Sequence, residues 1–400
     1  MKKRLVFVDD EANILQGLQR ILRPMRHEWE MHFAASAAEA LSLLEGTPCD
    51  VIISDMRMPH MDGAQLLTCI RERYPHMVRI ILSGYADNEL LLRAVGPAHQ
   101  YLSKPCDATL VQETVNRACM LHRLLSNTNL RQLVAGMQTI PSLPTLYSEV
   151  QRLLQAPNSS LEQVGKLIEQ DLGMTVKLLQ LVNSAFFGLR QSVTSPVQAV
   201  RLLGLNTVAG LILSSHLFAS CDQRTTTRHS LETLWSHSMT TAVYARTLAQ
   251  MGGGNTRLSE DAFMAGLLHD VGKLVFATQL SEQYMQVPVV AQEQHLAIWE
   301  AEQQVFGATH AEVGAYLLGL WGLPAAIVEA LAFHHHPMAC GHTTFSPVTA
   351  VHVANVLAHS AKAAATSTLP LDHAYLAGLG LADQLENWRS QCQRAIQTQS

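Results

Sequence analysis

Three short runs of branched apolar residues near the start of the chain constrain its fold most strongly. They read LVFV (5–8), DVIIS (50–54) and VRIIL (78–82), and weaker runs of the same kind lie at 31–34 and 99–102. Short, nearly continuous apolar runs are typical of strands that are buried on both faces of a parallel sheet. The sequence therefore predicts a parallel five-stranded sheet in the first part of the chain.

Helical patterns alternate with these strands. They lie at 12–23, 36–45, 63–73, 87–94 and 107–125. Five strand–helix units of this size predict a doubly wound α/β domain, in which ligands bind at the carboxyl ends of the strands. We expect the last of these helices to continue as a connector toward Leu133.

The predicted secondary structure changes at IPSLP (140–144), where two prolines interrupt any regular helix or strand. Beyond this point nearly every segment has the 3.6-residue period of a helix. The predicted helices span 145–155, 160–170, 173–182, 196–203, 205–220, 231–250, 259–279, 291–304, 309–320, 324–334 and 346–361. We therefore predict a multidomain protein with an α/β domain at 1–122, a helical linker at 123–136 and an all-α domain at 137–400, divided into subdomains at 137–220 and 225–400.

The composition limits the classes of function. Of the 400 residues, 48% are hydrophobic and 15% are charged, which suits two or three globular domains. The net charge of −5 argues against a broad electrostatic surface for binding nucleic acid. No apolar stretch approaches the ~20 residues that a membrane-spanning helix needs. The seven cysteines are scattered and form no C-x-x-C pair, which favours the reducing cytoplasm.

Polar residues follow the predicted strands of the first domain. Asp9 and Asp10 follow the first strand, Asp55 the third, Ser83 the fourth and Lys104 the fifth. Because these strand ends meet at one edge of a doubly wound sheet, we expect their side chains to form one pocket. Three carboxylates favour Mg²⁺, and a carboxylate neutralised by a metal and a lysine can accept a phosphoryl group. The alternative is that each is an ordinary polar residue at a strand end, but the match at four strands favours the pocket.

This pattern resembles the receiver domain of two-component response regulators. The resemblance depends on VFVDDE (6–11), DVIISDMRMPHMDG (50–63), ILSGYAD (81–87) and YLSKP (101–105). It implies a flavodoxin-like receiver fold, a bound Mg²⁺, phosphorylation by a sensor histidine kinase, and dimerisation through the last strand and helix of the receiver.

The same resemblance assigns a role to each residue of the pocket. Asp55 is the expected phosphoacceptor. The expected Mg²⁺ ligands are Asp9, Asp10, Asp55 and the backbone carbonyl of Arg57. Ser83 would hydrogen-bond the phosphoryl group, Lys104 would pair with it, and Tyr101 would change rotamer as a switch. The helix at 107–125 would then carry the change toward 130–145.

A second candidate site lies in the helical part. Its histidines and one aspartate occur on separate predicted helices: His237, His269, Asp270, His310, His334 and His335. Neutral imidazoles with a carboxylate suit Fe, Mn or Zn, and two such metals would activate water against a phosphodiester. A single helical histidine is more often a packed or surface residue without a ligand. We assign that role to His336, His352, His359 and His373.

This arrangement resembles the HD superfamily of metal-dependent phosphohydrolases and, more closely, its signalling relative, the HDOD (HD-related output) domain. The motifs occur in order: IPSLPTLYSEVQRLL (140–154), IEQDLGMTVKLLQLVNSAFFG (168–188), SPVQAVRLLGLNTV (195–208), LWSHS (234–238), AGLLHDVGKL (265–274), HAEVGAYLLGLWGLP (310–324) and HHHP (334–337). HDOD domains as a family are thought to be noncatalytic, so the resemblance implies an output domain that acts on a protein target.

One residue separates this chain from catalytic HD proteins. In AVHVANVLAHS (350–360), Asn355 stands where those proteins have a final metal-binding aspartate, and no Gly-Tyr-Pro motif of cyclic-di-GMP phosphodiesterases occurs in the chain. We therefore expect a response regulator with a mostly noncatalytic helical output. The alternative is an HD-type phosphohydrolase, most plausibly a cyclic-di-GMP phosphodiesterase. DNA binding is disfavoured because the chain has no basic recognition helix.

Overall fold

A parallel sheet forms the first part of the computed structural model. The structure describes residues 2–83, 97–104, 108–125, 127–137, 150, 153, 160–183, 193–204, 208, 225–253, 255–360 and 370–397. The strands are β1 (Lys3–Val8), β2 (Trp29–Ala34), β3 (Val51–Asp55), β4 (Val78–Ser83) and β5 (Gln100–Ser103). All pair in parallel in the order β2-β1-β3-β4-β5, which confirms the predicted doubly wound sheet.

Helices cover both faces of this sheet. They are α1 (Ala12–Ile21), α2 (Ala37–Gly46), α3 (Gly63–Arg73) and α4 (Ala108–Leu124), and the helix predicted at 87–94 lies outside the described residues. Successive strand residues point to opposite faces. Leu5 and Phe7 therefore join one core with α1 and α4, whereas Val6 and Val8 join another with α2 and α3.

The second part of the chain is helical in its described residues, as predicted, but the helices predicted at 145–155 and 205–220 lie almost entirely outside those residues. Its helices are α5 (Thr128–Gly136), α6 (Leu161–Glu169), α7 (Leu172–Val182), α8 (Pro196–Leu203), α9 (Thr225–Met251), α10 (Thr256–Leu268), α11 (Val271–Gln279), α12 (Ser281–Tyr284), α13 (Val287–Gln294), α14 (Ile298–Phe306), α15 (His310–Leu320), α16 (Ala325–Phe333), α17 (Pro347–Ser360), α18 (His373–Gly378) and α19 (Leu385–Gln397). None of the described helices is both long enough and apolar enough to cross a membrane.

Three helix predictions need correction. The helix predicted at 259–279 is interrupted, because α10 ends before His269 and α11 begins after Asp270. The helix predicted at 291–304 is two helices separated by a turn, in which His295 has a left-handed backbone with φ 55°. The expected connector toward Leu133 is also two helices, since α4 ends before α5 begins.

A buried arginine joins the sheet to the helical part. Arg79, in β4, is 1% exposed and donates from its guanidinium to the carbonyls of Pro97 (2.7 Å), Met77 (3.2 Å) and Ala135 (2.7 Å). Its backbone N–H donates to Nδ1 of His99, whose Nε2 lies 2.8 Å from the same Ala135 carbonyl. These hydrogen bonds connect the end of α5 to β4.

Helix α15 lies against the receiver-like part as well. Both α4 and α5 pack on it, and Gln100 of β5 donates from Nε2 to the carbonyl of Leu320 at 3.0 Å. Asn127, between α4 and α5, donates to the carbonyl of Phe306 at 2.7 Å. The last strand and last helix of the α/β domain therefore contact the helical domain of the same chain.

Replacing Arg79 by methionine tests this connection. Arg79→Met keeps an apolar stem of similar length but leaves several buried carbonyls without a donor, so we expect the free energy of unfolding to fall by about 3 kcal/mol. Urea titration followed by circular dichroism measures the change. Arg73→Met, at an exposed position of α3, is the matched control and should change stability little. Equal stabilities of the two variants would contradict the role given to Arg79.

Candidate functional site

A lysine lies between two buried carboxylates at the carboxyl edge of the sheet. Asp9 follows β1 and is 1% exposed, and Asp55 ends β3 and is 6% exposed. Nζ of Lys104 lies 2.7 Å from Oδ2 of Asp9 and also forms an ion pair with Oδ1 of Asp55. The structure thus brings together three of the residues that the strand-end pattern predicted.

The loop after β3 approaches Asp55 closely. The backbone N–H of Arg57 donates to Oδ2 of Asp55 at 2.8 Å. A Cβ at Gly63 would lie 2.1 Å from the carbonyl oxygen of Asp55, so only glycine permits the start of α3 to come so near. Asp10 is exposed beside buried Asp9. The pocket therefore offers hard oxygen donors beside solvent, which fits the requirements of Mg²⁺.

The other two predicted residues of this pocket lie on β4 and β5. Ser83 ends β4 and its backbone pairs with Ser103, but its side chain lies outside what the structure describes. Tyr101 is 3% exposed in β5, and burial raises the pKa of its hydroxyl. Tyr101 is therefore packed inward.

Burial and charge act in opposite directions on the central ion pair. Burial raises the pKa of Asp55 above its ordinary value, although Lys104 opposes this. Burial lowers the pKa of Lys104, but its hydrogen bonds to Asp55 and Asp9 outweigh burial and raise it overall. Lys104 is thus a firmly charged cation held against the carboxylate that is expected to react.

The second site gathers the predicted histidines into two adjacent groups. His237, His269 and Asp270 form one triad, and His310, His334 and His335 form the other. Within each triad the candidate ligand atoms lie within 4.8 Å of one another. The triads are joined by Asp270, whose Oδ1 lies 3.1 Å from Nε2 of His310. All six predicted residues are therefore brought together.

Glycines allow the helices that carry these residues to come close. A Cβ at Gly272 would lie 2.0 Å from the carbonyl oxygen of His310, so α11 contacts the start of α15 backbone to backbone. A Cβ at Gly266 would lie 2.9 Å from Cα of Ala242, which brings α10 against α9. The break between α10 and α11 turns His269 and Asp270 toward the same centre.

Hydrogen bonds fix the orientation of two imidazole rings. Nδ1 of His269 lies 2.8 Å from the carbonyl of Gly266, and Nδ1 of His334 lies 2.7 Å from that of Leu331. A carbonyl accepts only from N–H, so the proton is on Nδ1 and the lone pair on Nε2. Among the described residues these two buried Nε2 atoms have no hydrogen-bond partner. Inward lone pairs on fixed rings fit a metal such as Fe, Mn or Zn.

Asn355 lies where the sequence comparison with catalytic HD proteins suggested. It is on α17, 3% exposed, with Oδ1 at 3.0 Å from Nε2 of His237. One turn later on α17, the ring of His359 lies 4.4 Å from that of His237, measured between centroids. This contact is compatible with the role that we assigned to His359, which is that of a packed histidine without a ligand.

Burial keeps most of these rings neutral. It lowers the pKa of His237 to about 2 and holds the pKa values of His334 and His335 well below their ordinary range. Burial also opposes charge on His310 and Asp270. For His310, Glu302 and Asp270 outweigh burial and raise the pKa, whereas His269 and Lys273 hold the pKa of Asp270 well below its ordinary value. Burial thus favours neutral rings at His237, His334 and His335, whereas the carboxylates of Glu302 and Asp270 favour the charged form of His310.

Sequence reasoning missed two charged residues of this site. Nζ of Lys273 lies 2.7 Å from Oδ2 of Asp270, one helical turn later in the chain. Glu302 of α14 is fully buried and lies 2.6 Å from Nδ1 of His310. Lys273 was visible within the GLLHDVGKL segment, whereas Glu302 gave no signal, because an acidic residue in a helix is usually exposed.

Comparison with known families matches both parts of the chain. The family model of the response regulator receiver domain matches residues 5–116. The model of the HDOD domain matches residues 140–337. The two matches contain the acidic pocket and nearly the whole histidine cluster, respectively.

Individual relatives cover smaller shares. An uncharacterized protein of Treponema pallidum (strain Nichols) is 28% identical over 230 residues, which is 56% of this chain and 44% of that protein. The hydrogenase transcriptional regulatory protein HoxA of Cupriavidus necator is 34% identical over 174 residues, which is 40% of this chain and 35% of that protein. The chain thus spans less than half the length of these curated relatives.

Two solved structures illustrate the similarity. The signal receiver domain of an HD domain-containing protein from Pseudomonas fluorescens Pf-5 is 34% identical, covers 31% of this chain and 98% of its own, and has a TM-score of 0.29. The MmoQ response regulator from Methylococcus capsulatus str. Bath is 23% identical, covers 63% of this chain and 98% of its own, and has a TM-score of 0.46.

The neutral histidines predict a loss of stability in acid. A buried ring with a lowered pKa stays neutral in the folded state and takes up a proton only on unfolding. The full free energy of unfolding is therefore present above the unfolded pKa of about 6.5, and part of it is lost as pH falls below that value. His335→Phe keeps a ring stacked on Trp299 but removes one such group. Between pH 6 and 5 we expect wild type to lose about 1 kcal/mol more than this variant. Urea titrations with a chelator present measure this, and parallel pH curves would contradict a neutral His335.

Proposed function

This chain is a response regulator in which a receiver domain precedes an HDOD domain, and we propose that a sensor histidine kinase phosphorylates it on Asp55. In the proposed reaction, a carboxylate oxygen of Asp55 attacks the phosphorus of a phosphohistidine on the kinase. The N–P bond breaks, and the released imidazole of the kinase keeps the electron pair and takes a proton from solvent. The observation that supports Asp55 is its burial against the cation of Lys104.

Each neighbour of Asp55 has a part in this proposal. Asp9, Asp10, Asp55 and the carbonyl of Arg57 would hold Mg²⁺, which offsets charge on the transferred group. Lys104 would move from the carboxylate to a phosphoryl oxygen. Ser83 would donate a hydrogen bond to another phosphoryl oxygen, and Tyr101 would follow it as the switch residue.

The contact between β5 and α15 supports a route for the signal. Gln100 begins β5, and Lys104 follows its end, so any displacement of Lys104 acts on a four-residue strand. Gln100 is bonded to the end of α15, and α15 begins at His310 of the histidine cluster. This path is a second route beside the expected one through 130–145, of which residues 138–145 lie outside the described part of the chain.

The remaining expectations on organisation are part of the proposal. The bounds 1–122, 123–136 and 137–400 fit the matched ranges of the two families. A homodimer through β5 and α4 would use the two elements of the receiver domain that also contact α15. The free thiols of Cys49 and Cys392 fit the cytoplasm.

We further propose that the HDOD domain binds a transition metal but acts by contact with a protein target. The inward lone pairs of His269 and His334 support metal binding. A neutral amide at Asn355, beside His237, weakens the site for hydrolysis because the carboxylate of catalytic HD proteins is missing. The alternative is an HD-type cyclic-di-GMP phosphodiesterase. Turnover of cyclic-di-GMP that disappears in His269→Ala would favour that alternative.

Phosphorylation of Asp55 is tested with a small phosphodonor such as acetyl phosphate in Mg²⁺. We expect wild type to gain the mass of one phosphoryl group and Asp55→Asn to gain none, because the amide has no nucleophilic oxygen to offer. Asp62→Asn is the matched control, since asparagine also caps α3 well and Asp62 is not a pocket residue. Equal labelling of Asp55→Asn and wild type, by intact mass spectrometry, would refute Asp55 as the acceptor.

Metal binding is tested by elemental analysis of protein purified without chelator. We expect about one equivalent or more of Fe, Mn or Zn per chain, lowered at least tenfold in His269→Ala and His334→Ala. His373→Ala is the control, because His373 is exposed on α18 outside the cluster. Metal-free wild-type protein, or equal content in all variants, would show that the cluster is not a metal site.

A further inference from the structure

Glu302 is a fully buried carboxylate that the predicted metal site did not include. It lies on α14 at 0% exposure, and its Oε2 accepts from the backbone N–H of His310 at 2.8 Å. The same oxygen lies 2.6 Å from Nδ1 of the His310 ring. A buried ionised carboxylate is costly unless it is paired, so its position beside a candidate ligand needs an explanation.

The bond to Glu302 determines which nitrogen of His310 can bind a metal. Because Oε2 accepts the proton of Nδ1, the lone pair of the neutral ring is on Nε2. Nε2 of His310 faces the cluster, at 3.1 Å from Nε2 of His335 and 3.1 Å from Oδ1 of Asp270. His310 is thereby oriented in the same way as His269 and His334, but by a carboxylate in place of a carbonyl.

The same helix supports a second ligand of this triad. Trp299, one turn before Glu302 on α14, stacks on the ring of His335 with centroids 4.0 Å apart and planes 17° apart. Trp299 is 6% exposed and therefore covers one face of His335. Two of the three residues in the triad of His310, His334 and His335 are thus held by α14.

Charge balance indicates what Glu302 contributes. The triad of His310, His334 and His335 contains no carboxylate, whereas the other triad contains Asp270. The carboxylate of Asp270 lies beside His310 but also pairs with Lys273, so it alone would not offset a divalent cation in this buried triad. Glu302 supplies a negative charge one ring away, and a carboxylate that accepts from a ligand imidazole also increases the basicity of the ring.

We propose that Glu302 is a positioning residue that gives the triad of His310, His334 and His335 its affinity for a divalent metal of the zinc or iron(II) class. The inference rests on the metal binding proposed above. It goes beyond that function by assigning a residue to the support of one triad. The competing explanation is that Glu302 and His310 form a structural ion pair that only fastens α14 to α15.

Zinc affinity of the full chain distinguishes the two explanations. In Glu302→Gln the amide oxygen still accepts from both N–H groups of His310, but the charge is lost. We expect the dissociation constant for Zn²⁺, measured by competition with a chromophoric chelator, to rise about 10- to 100-fold. Glu302→Asp retains the charge and should recover part of the affinity.

Glu300→Gln is the matched control on the same helix. Glu300 is exposed and its carboxylate accepts from the N–H of Ala297, a bond that glutamine can also make. Its zinc affinity should equal that of wild type. The visible absorption of bound Co²⁺ gives a second readout, since altered support of His310 should change the ligand-field bands in Glu302→Gln alone.

The possible outcomes separate this inference from the metal site itself. Wild type that binds no Zn²⁺ or Co²⁺ would overturn both proposals. Wild type that binds them, together with a Glu302→Gln variant of unchanged affinity and spectrum, would leave the metal site standing and overturn the role of Glu302. A lower thermal midpoint of metal-free Glu302→Gln with unchanged affinity would establish the structural ion pair instead.

Discussion

The backbone contact between Gly272 and His310 is the constraint on which the helical site depends. A side chain at position 272 would collide with the His310 carbonyl, so α11 and α15 meet only because a glycine is there. Their contact sets Asp270 beside the first residue of α15, which makes one cluster out of two triads. The other end of α15 accepts a hydrogen bond from Gln100 of the receiver sheet. Helix α15 therefore runs from the histidine cluster to the start of β5, the strand whose other end leads to Lys104.

Much of the architecture was predictable because it depends on local pattern. The apolar runs predicted the strands, and the rule that ligands bind at strand ends predicted that Asp9, Asp55 and Lys104 would meet. The break at His269 was not predictable, since the apolar pattern continues through it and tertiary contacts decide where the helix ends. Glu302 was not predictable either, because its burial depends on packing against a residue that follows in another helix.

The charges of buried carboxylates are offset in different ways at the two candidate sites. In the acidic pocket, Lys104 contacts both Asp9 and Asp55 and offsets one of their two negative charges, which leaves a net negative charge. In the helical cluster, Asp270 and Glu302 are both fully or nearly fully buried, and Lys273 is the cation in contact with Asp270. Burial favours the neutral form of His237, His334 and His335, which suits nitrogen ligands. A divalent ion would complete this balance, whereas the neutral Asn355 would add nothing to it.

The shared helix also sets a thermodynamic condition on any communication between the sites. If phosphorylation of Asp55 shifts β5 and thereby α15, it changes the position of His310 relative to His334 and His335. Coupling of two binding equilibria is reciprocal, so a metal held by His310 must then bias the receiver toward the conformation that favours the metal. In that case metal binding in the helical domain would change the conformational equilibrium of the receiver domain, and phosphorylation of the receiver domain would change the metal affinity of the helical domain. If the cluster binds a metal as proposed, its occupancy would therefore influence which receiver conformation a kinase meets, even without catalysis.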